Sequence, residues 1–297
     1  MARSEAGLTA GSDVISRGVS SQRAHDVPEG DRFVPRRALC AVRVERIAAP
    51  SPARFQSEYV RASRPVVLRG VSDEWPARSW TLDQLSRDFG SASIPVLPAR
   101  SGKVVADARL GLVRQSMRLG DYINSLREGH DDAGIMTARV EELPGAFRQA
   151  APMPIYCQGA RWQVIKCWLM PAGMVSDLHF DLADNLHTVL FGRKRFTLVA
   201  PRESACVYAN GLADGIPNGA RVDIEHPDFE RFPRLVDAHP FVAELEPGDT
   251  LYIPRRWWHH GRTVELSLSM NHWWAKGAWA ALVRAGDLFK RLRGVSR

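Results

Sequence analysis

The sequence predicts a mainly β protein with flanking helices: a small barrel or jelly roll, preceded by a mixed α/β segment and followed by a helix. Three observations carry this. From Ile155 onward, short apolar strands alternate with Gly- and Pro-containing turns at the spacing of small all-β domains. Between residues 36 and 154, strand-like and helix-like segments alternate. After Ala275 the apolar period becomes helical.

Taken in order, residues 1–35 are rich in Ser, Gly, Arg and Asp, lack the apolar run of a signal peptide and read as a disordered leader. Val42-Arg43-Val44-Glu45 alternates like a strand with one buried face. Ser51-Pro52 starts a helix, Ser as N-cap and Pro in the first turn, with Phe55 and Tyr59 on its buried side. Arg64 to Gly70 is a short strand stopped by glycine. Thr81 caps a helix to Phe89, closed by Gly90, and another helix spans Leu119 to Arg127. The segment 155–275 is the barrel core. Trp162 to Met170 is apolar enough for a strand buried on both faces, turned by Pro171-Ala172-Gly173. Leu186 to Phe191 and Lys194 to Val199 flank Gly192-Arg193, which suits a two-residue type II′ hairpin. Pro201 to Val242 is a long irregular segment of the kind that carries function. Pro247-Gly248-Asp249 turns into Thr250 to Ile253, and Leu266 to Trp274 closes the barrel. In residues 276–297, Trp279, Leu282, Val283, Phe289 and Leu292 form one stripe of an amphipathic helix. That helix docks on the barrel, meets a second copy to form a homodimer, or lies on a membrane surface.

Composition bounds the function classes. The 297 residues, 45% hydrophobic and 25% charged, suit an ordinary globular chain. No apolar run approaches the roughly 20 residues of a membrane span. Cys40, Cys157, Cys167 and Cys206 show no Cys-x-x-Cys spacing, which argues against a zinc ribbon or a disulfide framework and for a reducing, cytoplasmic setting. The net charge of +7 invites a nucleic-acid partner, but the arginines are spread along the chain and only Lys290 with Arg291 to Arg297 forms a basic tail, so that partner is not favoured.

Chemistry concentrates in His179-Phe180-Asp181 and Trp257-Trp258-His259. In a strand, His179 and Asp181 point to one side and Phe180 to the other. With His259 arriving from another strand, they offer a metal two imidazoles and a carboxylate, leaving about half of an octahedron open as in non-haem Fe(II) oxygenases. His260 adjoins His259 but faces the opposite way. His187 and His272 are candidates for the cavity or for hydrogen-bonded core positions, and His226 and His239 belong to the long loop. The four tryptophans Trp257, Trp258, Trp273 and Trp274 read as packing at the barrel rim.

The order of these segments resembles the JmjC-type, cupin-like Fe(II)/2-oxoglutarate-dependent oxygenases. Arg64 to Gly70 with Trp75-Pro76 and Trp80 looks like that family's opening segment, Asp223 to Pro233 like its mid-barrel loop, and Ser269 to Trp274 like its closing strand. The resemblance implies a double-stranded β-helix, a domain over residues 36–275, and His179, Asp181 and His259 as both metal ligands and catalytic centre. It implies Fe(II), 2-oxoglutarate and dioxygen as cofactors. Lys194, one of five lysines against thirty-five arginines, falls where the family anchors the distal carboxylate of 2-oxoglutarate. Ser176, Asn185 and Tyr156 fall at further cosubstrate-binding positions and Gln158 beside substrate, while Asn271 shares strand parity with Ser267 and Ser269, a polar face suited to lining the cosubstrate site. Tyr156 stands closer to His179 than in some relatives. An ordinary hydrogen bond within the fold is the alternative for each of these polar residues.

The implied reaction is hydroxylation of a C–H bond in a protein, peptide or amino-acid-like substrate. A tRNA base or a small molecule is the alternative within the family. Halogenation is disfavoured because Asp181 fills the carboxylate position. From other classes, a Zn- or Mn-dependent cupin isomerase needs no Lys194, and a non-enzymatic binding module needs no intact ligand set.

Overall fold

The computed structural model describes residues 39–104, 113–129, 133–211 and 218–292, with the backbone alone for 289–292. The leader expected over residues 1–35, the basic side chains Lys290 to Arg297 and the stripe residues Phe289 and Leu292 lie outside the described residues.

Local signals build the N-terminal flank. Ser51 accepts from the Arg54 N–H and opens α1 (Pro52–Phe55), which continues as one π turn over Gln56–Val60 and buries Phe55 and Tyr59. The expected single strand at Val42 is instead two short pieces, β1 (Val42–Arg43) and β2 (Arg46–Ala48), which join different sheets. Both are largely exposed, because each lies at a sheet edge rather than over a core. After β3 (Val66–Arg69), Thr81 and Gln84 form a reciprocal capping box on α2 (Leu82–Phe89). Then come β4 (Ser93–Leu97), β5 (Ala99–Arg100), β6 (Lys103–Val104), β7 (Gln115–Arg118), α3 (Leu119–Arg127), β8 (Ile135–Arg139) and α4 (Gly145–Ala150).

The barrel follows: β9 (Trp162–Met170), β10 (Val175–Phe180), β11 (Asp184–Phe191), β12 (Lys194–Val199), β13 (Phe241–Leu245), β14 (Thr250–Ile253), β15 (Trp258–Thr263) and β16 (Ser267–Ala275). Among the described residues these strands divide between a five-stranded sheet, β1-β13-β12-β15-β10, and a nine-stranded sheet, β2-β3-β14-β11-β16-β9-β8-β4-β7. From β9 to β16 the chain passes from one sheet to the other at every connection except β12 to β13. That alternation is the double-stranded β-helix.

It also corrects the Gly192-Arg193 hairpin. β11 pairs with β14 and β16, and β12 with β13 and β15, so the turn carries the chain between sheets. Gly192 has φ +74, and a Cβ there would lie 2.1 Å from the Leu266 carbonyl oxygen. Gly192→Ala is therefore expected to cost about 3 kcal/mol or more, from left-handed backbone plus overpacking, read as a lower denaturant midpoint at unchanged slope.

β9 departs from expectation as well. Ile165, Cys167 and Leu169 are buried against α3 and α4, whereas Trp162, Val164, Lys166 and Trp168 face a cavity and are half-buried. The outer face of the nine-stranded sheet thus packs on Leu85, Tyr122, Ile123 and Phe147 of the flank. Between the sheets, Val189, Phe196, Leu198, Leu251 and Ile253 close one end of the barrel. The long segment after β12 covers the outer face of the smaller sheet through Val207, Phe232 and Leu235 against Leu178 and Trp258. Its residues 218–220 bond to the free edge of β10, capping an edge strand that would otherwise template aggregation. α5 (Trp279–Leu292) docks through Ala280 and Val283, with Gly286 close to Leu182. Leu282, placed in the buried stripe by its period, is 47% exposed. No helix among the described residues is long and apolar enough to cross a membrane.

Candidate metal centre and its cavity

Strand register brings the site together. β10 lies beside β15 with His179 directly opposite His259, so the two side chains share a face, their ring centroids 4.3 Å apart. Asp181, two residues on, returns to that face. The ligand atoms of His179, Asp181 and His259 all lie within 4.8 Å of one another, with His259 Nε2 3.7 Å from Asp181 Oδ2.

Backbone groups orient both rings. His179 Nδ1 lies 2.7 Å from the Asp177 carbonyl and His259 Nδ1 3.0 Å from the Trp257 carbonyl. A carbonyl only accepts, so Nδ1 is the donor in each ring, and Nε2 is the atom left to turn to the shared point. Asp181 Oδ2 accepts from Trp273 Nε1 at 2.8 Å, and its backbone carbonyl accepts from the Arg256 N–H at 2.7 Å. Two imidazoles and an oriented carboxylate converging on one point are a donor set that fits an Fe(II) ion with positions to spare. His260 turns to the reverse face, buried, with Nε2 3.9 Å from Glu225. Burial depresses its pKa against the opposing pull of Glu225.

Deeper in the barrel, Lys194 lies across from Thr263 and is 6% exposed. Its Nζ meets the Met170 thioether at 3.1 Å, a weak acceptor. Burial pulls its pKa down to about 7. Facing it from the nine-stranded sheet, His187 Nδ1 pairs with the Asn271 side chain at 2.9 Å, and Asn271 pairs with Asn185 at 2.9 Å. Ser267 and Ser269 hydroxyls and His187 Nε2 are buried with no hydrogen-bond partner among the described residues. A buried cation and orphaned polar atoms around one chamber are costly unless an anion completes them. A dicarboxylate fits that demand.

Ser176 reaches the same face through a bulge: it opposes Gly261, so between Ser176 and His179 two residues of β10, Asp177 and Leu178, stand against one of β15, His260. Two expected residues do not arrive. Tyr156 donates to the Pro50 carbonyl at 2.7 Å and packs on Phe55, in a cluster outside the cavity. Gln158 is exposed after the 3₁₀ turn Ile155–Cys157 and is not among the cavity-lining residues. Their places in the chain are near the barrel, but the turn projects them toward α1 and solvent. His272 also turns outward, onto Trp75 and the Ala151 carbonyl, with its pKa lowered by burial to about 4. His226 and His239 are exposed.

The metal centre opens on a cavity of about 490 Å³. Its wall on the nine-stranded sheet carries Arg139, Trp162, Lys166, Trp168 and Trp273. Arg139 and Lys166 are cross-strand neighbours, and the Lys166 ammonium lies 5.9 Å from the Trp168 ring and 5.7 Å from the Trp273 ring. The opposite rim comes from the long loop, where Asn218 donates to the Phe180 carbonyl at 2.6 Å. Lys103 bridges Asp177 and Asp223 there, at 3.1 and 3.7 Å. Sequence reasoning missed this wall. Trp273, read as rim packing, is a cavity residue that orients Asp181; its parity with Asn271 was the available signal.

A family model for the cupin-like domain matches residues 52–278. The chain is 29% identical over 270 residues to lysine-specific demethylase 8 of Danio rerio, covering 86% of this chain and 63% of that one. It is 28% identical over 246 residues to Jumonji C domain-containing protein 5 of Drosophila melanogaster, covering 78% and 59%. With tRNA wybutosine-synthesizing protein 5 of Gallus gallus it shares 26% over 251 residues, covering 79% and 77%. The chain thus spans less than two thirds of the length of the first two relatives.

Proposed function

That the chain belongs to the JmjC-type, cupin-like family, whose members depend on Fe(II), 2-oxoglutarate and dioxygen, is the premise from which we propose its reaction: oxidation of a substrate C–H bond to an alcohol, with 2-oxoglutarate converted to succinate and carbon dioxide. The observation that carries the proposal is the pairing of a His179–Asp181–His259 centre with a buried Lys194 on the same sheet. A bare metal site has no need of the lysine. Along β12 and β15, the row of Lys194 and Thr263 is four residues from the row of Leu198 and His259, about 13 Å between backbones at strand rise. Lys194 and His259 stand on the same face of the sheet, a separation suited to a short dicarboxylate held by a metal at one end and the lysine at the other.

His179, Asp181 and His259 would hold the iron, and Lys194 the distal carboxylate. When bound, iron with 2-oxoglutarate and dioxygen supplies an oxidant able to remove hydrogen from a C–H bond. The protein positions and excludes: the Asp177 and Trp257 carbonyls fix the imidazole tautomers, Trp273 fixes the carboxylate, and the apolar end of the barrel keeps bulk water from the chamber.

Our reading of the substrate is a protein, peptide or amino-acid-like molecule hydroxylated at an uncharged carbon. The relatives named lysine demethylases suggest an N-methyl group instead, but Lys166 already lies over the two tryptophan faces beside Arg139. A methylammonium would meet two like charges there. Anaerobic addition of Fe(II) and 2-oxoglutarate is expected to produce a visible charge-transfer band, and admission of air slow succinate formation without added substrate. Absence of both sinks the oxygenase reading. Formaldehyde release from a methyl-lysine peptide, with no hydroxylated product from unmethylated peptides, sinks the substrate reading alone.

A further inference from the structure

The side chain of His187 has no role in the metal centre, yet it occupies the barrel interior. It is 4% exposed on β11, and its ring meets Phe196 edge-on with centroids 4.8 Å apart. Phe196 is two residues from Lys194 on the same face of β12, so His187 and Lys194 look into one chamber from opposite sheets. One ring nitrogen is engaged by Asn271 at 2.9 Å; the other, Nε2, is buried with no partner among the described residues, as is the Ser269 hydroxyl diagonally beside it. Leaving a buried ring nitrogen unsatisfied costs about 1–3 kcal/mol. A histidine present only for packing brings no return for that cost, whereas leucine or phenylalanine would fill the space without it.

We infer that His187 is a second cosubstrate-binding residue, whose Nε2–H donates to the carboxylate that Lys194 anchors. The inference rests on the reaction proposed above. Two arrangements satisfy the amide chain Asn185–Asn271–His187, because an asparagine exchanges its oxygen and nitrogen by a half-turn of the amide. In one, Nδ1–H donates to Asn271 and Nε2 presents a lone pair, which repels an anion. In the other, Asn185 donates to the Asn271 carbonyl, Asn271 donates to Nδ1, and Nε2 carries the proton toward the chamber. The second arrangement makes a neutral imidazole a hydrogen-bond donor to a carboxylate, with no change in its charge. Burial and the nearby Lys194 ammonium both hold His187 neutral, its pKa well below the usual value, so donation must come from this tautomer rather than from imidazolium. The two asparagines on the larger sheet thereby set the specificity for a second carboxylate.

The test is equilibrium titration of the anaerobic Fe(II) protein with 2-oxoglutarate and with 2-oxopentanoate, which lacks the distal carboxylate. His187→Leu is expected to weaken 2-oxoglutarate binding about 10- to 100-fold, the range of a hydrogen bond to a charged group, with iron affinity and 2-oxopentanoate binding unchanged. His187→Gln, which retains an N–H donor, is expected to recover part of the loss. Equal 2-oxoglutarate affinity in the Leu variant and the unaltered protein overturns the inference, as does an equal loss for both ligands. In the unaltered protein loaded with Zn(II), nitrogen NMR reads the tautomer without any substitution: 2-oxoglutarate is expected to make His187 Nε2 protonated, and an Nε2 that stays unprotonated overturns the inference. If the unaltered protein takes up no 2-oxoglutarate, the proposed reaction and this inference fall together; the other outcomes strike this inference alone.

Discussion

Lys194→Met is expected to weaken 2-oxoglutarate binding by about 100-fold or more, since it removes one partner of a desolvated charge pair, and at the same time to stabilise the ligand-free protein. Both effects come from burial. The folded-state pKa of about 7 lies below the ordinary lysine value of 10.5. Between those values the unfolded chain binds more protons than the folded one, so stability rises with pH across that window. Below it the whole penalty is present, on the order of 5 kcal/mol. The methionine variant should therefore melt higher than the unaltered protein near about pH 6, and the difference should shrink as the pH climbs toward about 10. Melting curves across that range, with and without 2-oxoglutarate, check both halves. A variant less stable at the acid end would show that the lysine is compensated within the protein and is not held ready for a ligand. A trade of stability for binding of this kind is common at functional sites.

His259→Ala is expected to lower Fe(II) affinity by about 100-fold or more, because losing a ligand exceeds the 10- to 100-fold cost of losing a group that merely orients one. His260→Ala, one residue away, is expected to keep full iron loading and to lose about 1–3 kcal/mol of stability from a buried side chain. The contrast follows from strand parity: His259 faces His179, while His260 faces Glu225 on the reverse side. Anaerobic metal titration with a parallel denaturation curve measures both quantities on each variant. Equal iron loss in the two variants would show that the strand pairs in a shifted register.

Local chemistry made much of this legible in the sequence. The Thr81 cap, the Leu119 to Arg127 helix and the β9 bounds depend on neighbouring residues alone, and the structure has them where the sequence places them. The approach of His179, Asp181 and His259 followed from a two-residue period plus family resemblance; neither His179-x-Asp181 nor His259 alone specifies a partner strand. Pairing between sheets was the part hidden from local reading. A glycine with positive φ before Arg193 is as compatible with a crossover as with a hairpin, because the turn geometry does not name the strand that follows. The apolar run of β9 concealed a cavity wall for a related reason: tryptophan and valine line binding clefts as readily as cores. Tyr156 and Gln158 were placed by family resemblance, which carries no information about the direction in which a 3₁₀ turn projects them.

His179, His259 and Lys194 all stand on the five-stranded sheet, while Trp162, Lys166, Trp168 and Trp273 stand on the nine-stranded one, whose outer face rests on α3 and α4. The metal-ligand histidines and the cavity wall thus stand on two sheets that face each other across an open space, joined at the centre by the Trp273–Asp181 hydrogen bond. Substitutions at Trp162 or Trp168 change the cavity wall without touching a metal ligand, whereas one at Trp273 reaches the metal through its hydrogen bond to Asp181. If the centre oxidises a substrate as proposed, what it accepts can change through wall residues that never meet the metal, while Trp273 keeps the two sheets in one working unit.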